Sequence, residues 1–216
     1  TFPPGKNDFN LAMQVYLHLI QGHAAAYRVI HEAQPEAYVG IAINYRSMKP
    51  ARTWLPLDQW LCSIQSKLYN QLFPAAISTG KMDLVFRKIN VPEAAKTQDF
   101  IGVNYYTRDN VAFSLAPGNL MLGRRTFPPQ AEVSPSGFIA NVPDGFYESL
   151  RWAHQFNLPI LVTENGVEDE QDTLRPRYLA EHVYQLWRAV NFNWQIKGYF
   201  HWSLVDNFEW ERGWTQ

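Results

Sequence analysis

Polar and aromatic side chains collect where four apolar segments of the sequence end. Thr163-Glu164-Asn165 closes one such segment, and Asn104-Tyr105-Tyr106-Thr107 closes an earlier one. Asn44-Tyr45-Arg46 closes the first segment, and the last runs into His201-Trp202-Ser203. A carboxylate on a rigid strand end, flanked by amide and phenol groups, is held ionised and oriented. Such a group is suited to attack the anomeric carbon of a sugar or to stabilise an oxocarbenium-like transition state.

Other catalytic chemistries find no support in the sequence. No G-x-S-x-G motif is present, and the single cysteine, Cys62, falls inside a predicted helix. The histidines lack metal-ligand spacing, because His18 and His23 are five residues apart and no H-E-x-x-H occurs. No G-x-G-x-x-G follows a predicted strand, so a dinucleotide site is unsupported. We therefore expect neither a metal nor a cofactor.

The elements that position these residues alternate between helix and strand. Four-residue periodicity predicts a helix over 8–34, with Asp8 as its N-cap and Pro35 as its stop. Further helices are predicted over 57–73, ending at Pro74, over 143–157 and over 175–191. Apolar, β-rich runs predict strands over 38–45, 99–107, 159–164 and 196–204.

This order predicts a parallel β/α architecture with helices covering both faces of the sheet. The pattern alone leaves a doubly wound fold open beside a (β/α)₈ barrel, in which the carboxyl ends of the strands form the active-site face. Residues 108–142 read as an inserted loop rather than a linker, so we predict a single domain over 1–216. Asn165-Gly166 is interpreted as the turn that follows the acid.

Composition restricts the class of protein. Hydrophobic residues make up 46% and charged residues 18% of the chain, which indicates a globular protein. A net charge of −1 gives no reason to expect nucleic acid or an anionic membrane as a partner. The numerous aromatic residues fit a large core, and they also fit a sugar site in which flat rings stack on pyranose faces.

Three motifs together resemble one enzyme family. The motifs are DFIGVNYYT (99–107), TENG (163–166) and GYFHWSLVDNFEWERGW (198–214), and they occur in this order. Their sequence and spacing resemble the C-terminal half of glycoside hydrolase family 1, the β-glucosidase and β-galactosidase family. The resemblance implies an α/β (β/α)₈ TIM barrel of which this chain covers roughly the fifth to eighth strands.

The resemblance also implies roles for six residues. Glu164 matches the catalytic nucleophile, and Tyr106 matches the tyrosine whose hydroxyl orients it. Residues implied to bind the sugar are Asn104, Trp202, Glu209 and Trp210. An acid at Glu209 indicates unphosphorylated glycosides, since a carboxylate would repel a sugar phosphate. From the residues alone, the two tryptophans would be core residues and Glu209 a solvated loop acid.

The second carboxylate of a retaining mechanism is missing from the chain. In the family it belongs to an NEP motif, which this sequence does not contain. We therefore expect the chain to be the second half of a barrel, with a complementary N-terminal half as its partner. The expected function is a retaining β-glucosidase, with β-galactosides and β-fucosides as further substrates. The alternative is an inactive half barrel that only binds sugars. A cytoplasmic location is expected, and the oligomeric state is open.

Overall fold

The computed structural model describes residues 5–117, 119, 121–210 and 213–214. Its helices and strands, in chain order, are α1 (Phe9–Ala33), β1 (Gly40–Pro50), α2 (Pro56–Ser66), α3 (Leu72–Thr79), β2 (Lys81–Asp83), β3 (Lys88–Asn90), β4 (Phe100–Phe113), β5 (Gly123–Thr126), α4 (Pro143–His154), β6 (Ile160–Asn165), α5 (Arg175–Asn191) and β7 (Ile196–Tyr199). A π-helical turn, Lys67–Gln71, separates α2 from α3, and a 3₁₀ turn spans Pro92–Ala94.

The described residues group into two compact units. One unit combines the residues up to Gly40 with Gln71–Asp99, and the other combines Ile41–Asn70 with the residues from Phe100 onward. All six predicted site residues belong to the second unit. The prediction of a single domain over 1–216 stays a prediction.

The first unit contains α1, α3 and a small antiparallel hairpin. The Asp8 side chain accepts a hydrogen bond from the Leu11 amide and caps α1, as predicted. Gly80 adopts a left-handed φ of 71° after α3, and the chain then forms the β2–β3 pair. The sequence did not predict this hairpin, because strands of three residues carry too little alternation to be recognised.

The second unit is built around a sheet with the strand order β1-β4-β6-β7. The β4–β6 and β6–β7 pairs are parallel, as predicted, and β5 pairs antiparallel with the outer part of β4. Helix α4 packs on β4 and α5. The core between sheet and helices includes the fully buried side chains of Ile101, Val103, Phe146, Leu150, Ile160 and Val162.

The helix predicted over 57–73 is wrong in its continuity and in its end. The π-helical turn interrupts it, and Pro74 lies inside α3. Pro74 is tolerated there because it occupies the first turn, where a backbone N–H has no partner within the helix. By contrast, helix α5 has the predicted bounds.

Two strands extend further than predicted. Strand β1 continues to Pro50, and β4 continues to Phe113. The predicted loop over 108–142 therefore begins with six strand residues and contains β5. The polar clusters at Asn44–Arg46 and Asn104–Thr107 lie within their strands, so their placement at strand ends was wrong. The cluster at Asn104–Thr107 is still level with the carboxyl end of β6, because Tyr105 is the cross-strand partner of Asn165.

Candidate active site

Glu164 reaches the site because the register between β4 and β6 shifts by one residue. Val103 pairs with Val162, but Asn104 pairs with Glu164, so Thr163 is an extra residue in β6. Strict alternation would place Glu164 on the same face as Val162, which is buried under the helices. The extra residue moves Glu164 to the face of Asn104 instead.

Tyr106 and Glu164 are joined by a short hydrogen bond. The Tyr106 hydroxyl donates to Glu164 Oε2 at 2.5 Å across 58 residues of sequence. Burial raises the pKa of Tyr106 well above its ordinary value, and the hydrogen bond and the negative charges of Glu164 and Glu209 raise it further. The phenol is therefore a donor throughout the neutral range and holds one carboxylate oxygen in place.

Asn104 lies beside this pair. It is the cross-strand neighbour of Glu164, and its Oδ1 accepts a hydrogen bond from the Thr163 hydroxyl at 2.5 Å. Thr163 thus contributes the extra residue in β6 and also anchors the Asn104 amide. With Oδ1 engaged, the Nδ2 group of Asn104 is oriented as a donor.

Trp202 and Glu209 form a second group in the segment after β7. Glu209 Oε1 accepts hydrogen bonds from Trp202 Nε1 at 3.3 Å and from Asn207 Nδ2 at 2.9 Å. The Trp202 amide donates to the Asn165 carbonyl at 3.0 Å, which attaches this segment to the end of β6. The negative charge of Glu209 makes a small contribution to the raised pKa of Tyr106.

Large aromatic surfaces are exposed in this segment. Trp202 is 42% exposed and Trp210, one residue after Glu209, is 71% exposed. Within this chain these tryptophans are therefore not part of the buried core. Flat apolar surface next to a carboxylate is typical of a sugar-binding site, but the individual roles of the six residues stay predictions.

Gly166 is required for close packing rather than for a turn. An added Cβ would lie 1.8 Å from the Trp202 carbonyl oxygen, far inside van der Waals contact. Asn165 is the last residue of β6 and is fully buried, and Gly166 does not have a positive φ. The interpretation of Asn165-Gly166 as a turn was therefore wrong.

Sequence reasoning missed a layer of polar residues behind the site. Asn165, which directly follows Glu164, donates a hydrogen bond to the Tyr178 hydroxyl and accepts one from the Tyr199 hydroxyl. Tyr178 and Tyr199 were treated as ordinary members of a helix and a strand. The available signal was an amide directly after the acid on a strand that begins with the apolar residues Ile160–Val162.

Metal and membrane features can be assessed over the residues described. Within them, no group of three or more His, Cys, Asp or Glu side chains is arranged to hold a metal ion. The helices in that part of the chain include none with the length and apolar character needed to cross a membrane.

Comparison with known proteins identifies relatives of one family. A sequence model described as glycosyl hydrolase family 1 matches residues 1–216. A β-galactosidase from Pyrococcus woesei is 34% identical over 98% of this chain and 47% of its own length. β-Glucosidase A from Thermotoga maritima is 31% identical over 99% of this chain and 52% of its own length.

Solved structures agree with these sequence matches. A β-glycosidase from Pyrococcus horikoshii superposes with a TM-score of 0.88 at 29% identity, over 99% of this chain and 49% of that one. The chain thus spans about half the length of the relatives it matches. The predicted fold class is confirmed, because these relatives are (β/α)₈ barrels covered over half their length. The chain belongs to glycosyl hydrolase family 1.

Proposed function

We propose that this chain is the nucleophile-bearing half of a retaining β-glycosidase that hydrolyses unphosphorylated β-glucosides, with β-galactosides and β-fucosides as further substrates. The observation that carries the proposal is the 2.5 Å hydrogen bond from Tyr106 to Glu164 at the carboxyl end of the parallel sheet. Relatives with β-galactosidase and β-glucosidase activity in their names support both glycone classes.

Glu164 would act as the nucleophile. One carboxylate oxygen attacks the anomeric carbon, the bond from that carbon to the leaving oxygen breaks, and its electron pair departs with the leaving group. Water then cleaves the glycosyl ester and releases the sugar with its original configuration. Tyr106 holds the second oxygen of Glu164, so the attacking oxygen has one orientation when the substrate arrives.

Sugar binding would fall to the residues around this carboxylate. The Nδ2 group of Asn104 is oriented to donate to a sugar hydroxyl, while Glu209 accepts from hydroxyls at the opposite edge of the ring. Trp202 and Trp210 offer exposed apolar faces for the C–H groups of the pyranose. The charge on Glu209 disfavours a sugar phosphate at that edge.

A complementary half barrel would supply the general acid/base. In the described sheet β1 and β7 are the outer strands, and closing a barrel requires further strands at both edges. The relatives are about twice as long as the chain, which supports a partner of this kind. We refer to the chain combined with that half as the assembled barrel.

Trapping with 2,4-dinitrophenyl 2-deoxy-2-fluoro-β-D-glucoside tests the proposal. Dinitrophenolate leaves without protonation, so covalent labelling reports on the nucleophile without requiring the acid. We expect peptide mass analysis of the assembled barrel to find the label on Glu164. A label on any other residue would contradict the assignment.

A second experiment separates the proposal from the alternative of an inactive half barrel that only binds sugars. It measures the hydrolysis of aryl β-glucosides by the chain alone and by the assembled barrel. We expect the isolated chain to be nearly inactive and the assembled barrel to turn over. If the chain only binds sugars, both preparations should bind the glucoside, and neither should show turnover or a covalent label. High activity of the isolated chain would contradict the need for a complementary half.

A further inference from the structure

Asn165 is fully buried, and both N–H groups of its side-chain amide donate hydrogen bonds. Its Nδ2 group donates to the Tyr105 carbonyl at 2.8 Å and to the Tyr178 hydroxyl at 3.1 Å. Its Oδ1 accepts from the Tyr199 hydroxyl at 2.9 Å. We call Asn165, Tyr178 and Tyr199 the Asn165 cluster. It joins the strand that carries Glu164 to β4, β7 and α5.

Tyr178 extends this connection to the residue that holds the nucleophile. The Tyr178 hydroxyl donates to the Tyr106 carbonyl at 2.8 Å. The β4–β6 ladder ends at the pairing of Tyr105 with Asn165, so β6 provides no further backbone partner for β4 there. The Asn165 cluster therefore continues the connection between the two strands where regular pairing stops.

Tyr178 is held in place by close packing with its neighbours. Tyr178 is fully buried, and its ring stacks on His182 with centroids 3.8 Å apart. His182 Nδ1 lies 2.7 Å from the Tyr178 carbonyl oxygen, and this contact keeps the two rings stacked. Tyr106 itself packs against the apolar cluster that contains Tyr178. Movement of Tyr178 would therefore be transmitted to both the backbone and the ring of Tyr106.

We propose that Asn165 and Tyr178 are positioning residues that set the distance between Tyr106 and Glu164. The carboxylate and the phenol lie on different strands, and their contact depends on how those strands are held beyond the last ladder pair. Neither residue touches the reacting atoms. This inference rests on the proposed role of Glu164 as nucleophile, because its effect is on the orientation of that carboxylate.

Tyr178→Phe in the assembled barrel, compared with Tyr105→Phe, tests the proposal. Both tyrosines are fully buried, and each hydroxyl donates to a backbone carbonyl at 2.8 Å, of Tyr106 and Val142 respectively. Both substitutions remove a buried hydroxyl that donates to a backbone carbonyl, and Tyr178→Phe also removes the acceptor of Asn165 Nδ2. Only the first breaks the link to Tyr106.

The measurement is inactivation by the dinitrophenyl 2-deoxy-2-fluoro-β-D-glucoside, resolved into its rate constant and its dissociation constant. We expect Tyr178→Phe to lower the rate constant about 10- to 100-fold, with a dissociation constant within about threefold of the wild type. Tyr105→Phe should leave both constants within about threefold. Equal rate constants for the two variants, or a loss confined to binding, would overturn the proposal.

Crystal structures of both variants provide a readout that does not depend on activity. We expect the Tyr106–Glu164 contact to lengthen beyond about 3.2 Å in Tyr178→Phe and to persist in Tyr105→Phe. An unchanged contact in both would overturn the inference. If the wild type is not labelled at all, the proposed function fails, and this distance still decides the positioning role.

If Tyr178→Phe does not fold, Tyr199→Phe takes its place. Tyr199 is only partly buried, and its loss removes the donor to Asn165 Oδ1 without touching β4. We then expect about a 3- to 10-fold lower rate constant and a retained dissociation constant. A rate constant equal to that of the wild type would overturn the proposal.

Discussion

Glu164 and Glu209 are the two carboxylates of the proposed site, and they are supported in opposite ways. Glu164 lies on a strand, and its partner Tyr106 is 58 residues away in sequence. Glu209 lies in the segment after β7, and its partners Asn207 and Trp202 are two and seven residues away. Next to Glu164 in sequence is the fully buried Asn165, whereas Trp202 is partly exposed and Trp210 largely exposed beside Glu209.

This difference suggests a division of tasks. Glu164 and Glu209 are both half-buried, but the group that must be aligned with a reacting carbon is held by a long-range contact and backed by a buried amide, so neighbouring strands restrict its movement. A group that recognises hydroxyls is held by local contacts at the surface, where it exchanges water for the sugar. We therefore expect changes near Glu164 to lower kcat and changes near Glu209 to raise KM.

Removal of the nucleophile should have the largest effect. We expect Glu164→Gln in the assembled barrel to lower kcat for an aryl β-glucoside about 10⁴-fold or more, because the covalent intermediate cannot form. Its amide oxygen still accepts from Tyr106, so KM should change little. Steady-state kinetics measure both constants. Retention of more than a tenth of the activity would contradict the nucleophile assignment.

Gly166 joins the two regions, and its substitution should disturb both. In Gly166→Ala the new methyl group must displace the Trp202 carbonyl, because the ideal Cβ position is 1.8 Å from that oxygen. We expect kcat/KM to fall about 100-fold. Gly22→Ala is the matched control. Gly22 lies on α1, and an added Cβ there would point into open space.

The control should leave kcat/KM unchanged and increase the free energy of unfolding by about 0.5–1 kcal/mol, as expected for alanine replacing glycine within a helix. Similar catalytic losses in the two glycine variants would show that the close approach at Gly166 is not the cause.

Glu209→Gln should affect binding more than chemistry. Glutamine keeps an oxygen for Trp202 and Asn207 but loses the charge that strengthens hydrogen bonds to sugar hydroxyls. We expect KM to rise about tenfold and kcat to change less than threefold. Steady-state kinetics of Glu209→Gln and Glu164→Gln, measured side by side, compare the changes in kcat and KM. A loss of kcat comparable to that of Glu164→Gln would contradict the division between the two regions.

The dryness of the core behind Glu164 can be tested by pH. Burial lowers the pKa of His182 to about 4 from its ordinary value near 6.5. Between these values the unfolded chain binds a proton that the folded chain does not. The free energy of unfolding should therefore fall by up to about 3 kcal/mol as the pH drops from 6.5 to 4.

Urea unfolding of the chain at pH 7.5 and 4.5 measures this contribution. We expect His182→Gln to reduce the difference between the two pH values, whereas His154→Gln, at an exposed histidine, should retain it. The same pH dependence in His182→Gln and the wild type would mean that His182 is not held neutral by its surroundings.

Much of the fold was predictable because it depends on local patterns. Periodicity and terminal signals located α1 and α5 to within about one residue, and β-rich runs located four of the five strands of the main sheet. The interrupted helix after Pro56 and the long outer part of β4 were not predictable. They depend on partners distant in sequence, such as β5, which supplies the ladder for residues 110–113.

The candidate site was predictable in its membership but not in its geometry. Family motifs singled out Glu164, Tyr106, Asn104, Trp202, Glu209 and Trp210, and the structure joins Tyr106 to Glu164 and Trp202 to Glu209. The support behind the site went unrecognised, because Tyr178 and Tyr199 lie on elements whose local pattern shows only ordinary amphipathic residues.

The amino-acid sequence by itself determined that Glu164 lies near the end of an apolar strand and that Trp202 and Trp210 follow the next strand. The face on which that acid lies was decided only in the folded sheet. Strict alternation from Val162 directs Glu164 towards the helices, and the extra residue at Thr163 turns it towards Asn104 and Tyr106. Pairing with β4 makes that shift, since register is a property of two strands and neither strand encodes it alone.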